Sequence, residues 1–147
     1  LLARARALKV PVIHIQHDSG PGSPFDIRTE IGAIADKVAP LEGEAVVVVK
    51  GYPNSFIGTD LDARLKALGV TKLAIAGFMT HMCINSTTRG AFNLGYAVTV
   101  SASATATRPL PAPGGGVVSA EALQVAALAA LGDLFAVVVP TVDDIPD

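Results

Sequence analysis

A single cysteine, a small charge of either sign and the absence of any long apolar run are the first features of this 147-residue chain. One cysteine cannot close an internal disulfide, so the usual staple of small secreted domains is excluded and a reducing cytoplasm is the expected location. No apolar stretch approaches the roughly 20 residues that a spanning helix needs, because the Ala-rich segment 120–131 is interrupted by Glu121 and Gln124. Charged residues make up only 16% of the chain, the net charge is −2, and no basic stripe is available for a nucleic-acid backbone. Neither nucleic acid nor membrane is therefore an expected partner. What remains is a chain half apolar, enough to bury one core as a single domain over residues 1–147. That apolar excess predicts a homodimer or larger homo-oligomer.

Five short segments rich in β-branched residues read as strands buried on both faces: Val10 to Gln16, Ala45 to Lys50, Lys72 to Phe78, Tyr96 to Ala102 and Phe135 to Pro140. Helical patterns lie between them. Leu61, Leu65 and Leu68 share one face of a helix that Gly69 should stop, and others run from about Cys83 to Leu94 and from Ser119 to about Leu134. Alternation of this kind implies right-handed crossovers and a parallel sheet covered on both faces. Two stretches rich in Pro and Gly, 17–44 and 107–117, read as long irregular loops. The opening LLARARALKV lacks a signal-peptide cleavage site and reads as the end of a helix; a parallel unit would need another strand before it.

Cys83 follows the strand ending near Phe78, where a helix N-terminus would favour a thiolate. Lys50 closes a second strand, at the same edge, where sites in open α/β sheets lie. Each has a plainer reading: a free cysteine is commonly buried packing, and Lys50 can be the first solvated residue after four valines.

The segment VVVVKGYPNSFIGTDLDARLKALGVTKLAIAGFMTHMCINSTTRGAFNLGYAVTV, together with QHDSGPGSPF and SAEALQVAALAAL, resembles the isochorismatase-like cysteine hydrolase superfamily, which includes nicotinamidases, carbamoylsarcosine amidases and ureidoacrylate amidohydrolases. The resemblance implies a doubly wound, three-layer α/β fold on a six-stranded parallel sheet and a cysteine, lysine and aspartate triad. Cys83 takes the nucleophile position and Lys50 the lysine position. It also implies a cis peptide between Phe78 and Met79, with the backbone N–H groups of Met79 and Cys83 forming an oxyanion hole. His17 and Phe56 become candidate substrate-binding residues, and Tyr52 and Met82 candidate pocket walls. His14 reads as a packed core residue and His81 as facing solvent.

The aspartate of the family ends its first, central strand, and no such stretch stands here. An upstream segment is the expected explanation; a remodelled sheet, a strand from another subunit and a degenerate homologue are the alternatives. Asp18 and Asp26 are poor substitutes, lying in a Gly- and Pro-rich loop. HIQHDSG does not match the Asp-x-His spacing with which nicotinamidases hold a metal, so neither a metal nor a cofactor is expected. Isochorismatases proper lack the cysteine. Retaining Cys83 implies hydrolysis of a C–N bond in a small amide, carbamoyl or ureido substrate through a thioester. The competing readings are a metabolite-binding or oligomerisation module and a redox-responsive thiol.

Overall fold

The computed structural model describes residues 1–42, 44 and 47–146. The helix α1 (Leu2–Ala7) leads into the strand β1 (His14–His17), which pairs in parallel with β2 (Val47–Lys50). After α2 (Leu61–Ala67) come β3 (Lys72–Phe78), a single π-helical turn (Thr80–Ile84) and α3 (Asn85–Asn93). The chain continues through β4 (Ala97–Ala106), a small hairpin of β5 (Leu110–Pro111) and β6 (Val117–Val118), α4 (Ala120–Gly132) and β7 (Val137–Val139). The fold is α/β: all five crossover-connected strands pair in parallel, in ladders ordered β1–β2 and β3–β4–β7. Among the described residues no strand pairing joins the two ladders.

The strand boundaries follow local chemistry. β1 begins at His14 rather than Val10, because Lys9 turns through a left-handed φ of 56° and Pro11 has no N–H for a ladder. Ala45 and Val46, expected to open β2, lie outside the described residues. β7 starts only at Val137, since the N–H groups of Phe135 and Ala136 both return to the Leu131 carbonyl at the end of α4. β4 runs four residues past the expected Ala102. Its pairing with β3 shifts between Ile75 and Gly77, which absorbs the extra residues in a bulge. The Pro- and Gly-rich stretch 107–117 is not wholly irregular. β5 and β6 pair antiparallel within it, around Gly115 and Gly116 at φ of 92° and 79°.

Burial corrects the expectation that the strands are covered on both faces. In the β3–β4–β7 ladder, Leu73, Ile75, Val98, Val100 and Val138 share one face and join a core with Leu61 and Leu65 of α2, Ala91 of α3 and Leu131 of α4. On the opposite face Ala74 and Ala76 are exposed and Val137 is 62% exposed, while Ser101 and Val139 toward the carboxyl end are buried; successive side chains of a strand point to opposite sides, and this second side is covered only at that end. Leu68 also departs from its expected role. It caps α2 half-exposed, while Gly69 ends the helix with a φ of 66° and its N–H on the Lys66 carbonyl.

Candidate active site

In the parallel register of β1 and β2, His17 is the direct partner of Lys50 at the carboxyl end of the ladder. Their side chains therefore emerge together, and Lys50 Nζ lies 2.7 Å from His17 Nδ1. The same Nζ donates to the Tyr52 carbonyl at 2.9 Å and to Cys83 Sγ at 3.3 Å. Lys50 is buried, 4% exposed, so its solvation is replaced by these three acceptors. The plain reading of Lys50 as the first solvated residue after a strand is thereby set aside.

Cys83 is half-buried and stands in the π-helical turn rather than at the start of the α-helix, which begins two residues later. Such one-turn π segments recur at functional sites because they re-aim a side chain within a helical run. The Phe78–Met79 peptide is cis. Beyond it, the Met79 carbonyl accepts from the N–H groups of Met82 and Ile84 and so anchors the turn that presents the sulfur.

The segment after Lys50 is tied to α3. Thr87 Oγ1 accepts from the Ser55 N–H at 3.1 Å, lies 3.0 Å from Ser55 Oγ and donates to the Pro53 carbonyl. Asn54 lies directly on Gly90, where a Cβ would come within 2.5 Å of its side chain, so only glycine permits this approach. The Tyr52 carbonyl is thus held in place through its neighbours, while the Tyr52 ring itself is 59% exposed. Phe56 stacks on Tyr96, with centroids 6.0 Å apart, and packs against the core.

Asp18 and Asp26 do not hydrogen-bond Lys50 or Cys83. Asp18 accepts from Gly20 N–H and from both terminal nitrogens of Arg28, while Asp26 accepts from Gly22 N–H, Arg28 N–H and Arg28 Nε. These hydrogen bonds, the glycine amides foremost, hold both carboxyls below the usual aspartate range. Burial, then the neighbouring Lys50 charge, pushes His17 below the ordinary histidine value, with Asp18 opposing. His81 does not face solvent. Its Nδ1 meets the Thr107 hydroxyl, its Nε2 is buried without a partner, and burial followed by Arg108 lowers its pKa. His14 sits against Glu44 at 3.4 Å. No group of three His, Cys, Asp or Glu able to hold a metal occurs among the described residues, and no helix there is long and apolar enough to cross a membrane.

Sequence reasoning missed Ser19, whose Oγ lies 2.8 Å from His17 Nε2, and Thr87. A serine two residues beyond a strand-terminal histidine, and a threonine inside a helix, carry no signal without the fold.

A lysine ammonium and a thiol thus meet at the carboxyl edge of a parallel α/β fold, where sites in open sheets of this class lie. The profile of the isochorismatase domain matches residues 1–143, and the chain belongs to the isochorismatase family. It is 36% identical over 144 residues to the secreted isochorismatase effector Isc1 of Verticillium dahliae, a match covering 97% of this chain and 73% of that protein. The solved structure of an isochorismatase from Pseudomonas putida KT2440 superposes with a TM-score of 0.92 at 37% identity, over 98% of this chain and 73% of that one. A cysteine hydrolase from Pseudomonas syringae pv. phaseolicola 1448A superposes at 0.87 with 29% identity, over 97% and 73%. Shorter matches include streptothricin hydrolase of Streptomyces noursei, 39% identical over 68% of this chain and 36% of that protein. Ureidoacrylate amidohydrolase RutB of Stutzerimonas stutzeri is 37% identical over 65% and 50%.

Proposed function

We propose that this isochorismatase-family hydrolase cleaves a C–N bond of a small amide, carbamoyl or ureido compound, with Cys83 as nucleophile. The observation that carries this reading is the 3.3 Å contact between Lys50 Nζ and Cys83 Sγ. An ammonium on a sulfur stabilises the thiolate, and the thiolate is the nucleophilic form. The sulfur attacks the carbonyl carbon, and the N–H groups of Met79 and Cys83 receive the tetrahedral oxyanion. Collapse breaks the C–N bond, the amine leaves with a proton taken from the Lys50 ammonium, and a thioester remains on Cys83. Water then adds to the thioester, its hydroxyl staying on the acyl carbon and its proton returning to the leaving thiolate.

The amidohydrolase and hydrolase names of the RutB and streptothricin relatives support C–N chemistry of this kind. Among the described residues no carboxylate hydrogen-bonds Lys50 or Cys83, so the triad aspartate implied by the family pattern is not one of them. Screening amides, carbamoyl and ureido compounds for ammonia or amine release tests the proposal. Cys83→Ser should remove at least about a thousandfold of any rate found. A Cys83→Ser variant that hydrolyses as fast as the parent overturns it. Static and dynamic light scattering at several concentrations tests the accompanying homo-oligomer reading, which a monomer at every concentration would refute.

A further inference from the structure

We infer that His17 is a positioning residue that aims Lys50 at Cys83: a neutral imidazole, itself oriented by Ser19, supplies one leg of the tripod that fixes the ammonium. This rests on the reading of Cys83 and Lys50 as the reacting pair and adds to it.

A lysine ammonium has three N–H donors and no acceptor. Among the described residues Lys50 has three acceptors within reach, His17 Nδ1 at 2.7 Å, the Tyr52 carbonyl at 2.9 Å and Cys83 Sγ at 3.3 Å. The two shorter contacts consume two donors and leave the third directed at the sulfur. The Tyr52 carbonyl is held by the Ser55–Thr87 anchor, so it is a rigid leg. His17 is the other leg and the only one that can change its hydrogen-bonding character. To accept at Nδ1, the ring must carry its proton at Nε2, and that nitrogen donates to Ser19 Oγ at 2.8 Å. The Phe25 ring packs edge-on at 5.2 Å and restrains the imidazole plane.

Protonation of Nδ1 would turn the acceptor into a donor facing another donor, and the tripod would open. Among the described residues, the charged groups bearing on His17 are Lys50 and Asp18, and Cys83 is linked to it through Lys50. Asp18 is itself paired with Arg28, which also binds Asp26. Burial, and then the Lys50 charge, lowers the basicity of His17, the direction that favours the accepting form.

Because Cys83 is the only cysteine, its reactivity can be read without a substrate. The test follows alkylation by iodoacetamide, by intact mass, from about pH 5 to about pH 9 in the parent, His17→Phe, His17→Asn, Ser19→Ala, Lys50→Met and the double variants that combine Lys50→Met with His17→Phe or with Ser19→Ala. Loss of one charge-assisted hydrogen bond should slow His17→Phe by about tenfold near pH 6, through a shift of the acid limb to higher pH. His17→Asn keeps an acceptor close to the Nδ1 position and should stay within about threefold of the parent. Ser19→Ala should slow alkylation by about threefold. In the Lys50→Met background His17→Phe should add nothing, since the histidine acts only through the lysine.

A parent-like profile for His17→Phe overturns the inference, as does an equal slowing with Lys50 absent, which would mean packing alone. If His17→Phe fails to fold by circular dichroism, Ser19→Ala decides the matter: slowing that disappears with Lys50→Met supports the relay, and no slowing refutes it. Lys50→Met separates the two levels of reading. If it slows alkylation while both His17→Phe and Ser19→Ala do not, only the role of His17 falls; if it changes nothing, the Cys83–Lys50 pairing falls with it.

Discussion

The two parallel ladders are held by different forces. Around β3–β4–β7, cohesion comes from apolar packing: Val100, Ala91 and Leu131 are fully buried, and α3 and α4 lie against the ladder. Around β1–β2, short strands are braced by charge. Arg6 makes two hydrogen bonds to Glu44 at 2.6 and 2.8 Å and reaches the Ala39 carbonyl, while Arg28 clamps Asp18 and Asp26. The candidate site takes one partner from each region, Lys50 from the charged side and Cys83 from the packed side. Reactive geometry at 3.3 Å therefore depends on how the two are joined.

Leu131→Ala should test the packed region most severely, because it empties a fully buried position where α4 meets the core; a loss of about 3 kcal/mol in urea-induced unfolding is expected. Thr87→Val cuts the joint itself. It leaves the Ser55 N–H buried without an acceptor, and should cost about 2 kcal/mol while also slowing Cys83 alkylation, since the Tyr52 carbonyl loses its anchor. Unchanged alkylation in a folded Thr87→Val protein would show that the Ser55–Thr87 contact does not position Lys50.

Acid should act on the charged region with a smaller effect. Hydrogen bonds from Arg6 first, and then from the Leu41 N–H, hold Glu44 at about 2, against an ordinary 4.5. A depressed carboxyl contributes stability that is complete above its unfolded value and is lost as pH falls from 4.5 toward 2. Asp18 and Asp26 are shifted in the same direction and add to the slope. The midpoint of thermal unfolding should fall across this window, and Glu44→Gln should flatten the dependence. A Glu44→Gln protein with the parent's full slope would remove Glu44 from this account.

Much of this comparison was legible before the fold. Lys72 to Phe78 is a strand with the bounds read from its β-branched and apolar run, and Ser119 caps α4 by accepting from the Ala122 N–H. Lys50 stood out as a charge directly after valines, and Cys83 as a lone thiol after a strand. Other features were hidden because no local pattern encodes them. The extension of β4 depends on a bulge set by its pairing with β3. The hairpin at Leu110–Pro111 and Val117–Val118 lies inside what composition marks as loop. The open face of β3 could not be read either, since a run such as KLAIAGF is apolar at the positions of both faces and says nothing about which face is covered.

By itself, the sequence determined the order of strands and helices, the α/β class and the two residue types placed at strand ends, because periodicity and turn chemistry are local properties of the chain. Only the tertiary structure decided that His17 stands beside Lys50 through the parallel register, that the Tyr52 carbonyl rather than its ring serves the site, and that a π-helical turn brings the sulfur to the ammonium. The His17 and Cys83 contacts each reach Lys50 from 33 positions away in the chain, and a hydrogen bond of about 3 Å is specified by packing and register rather than by spacing along the sequence.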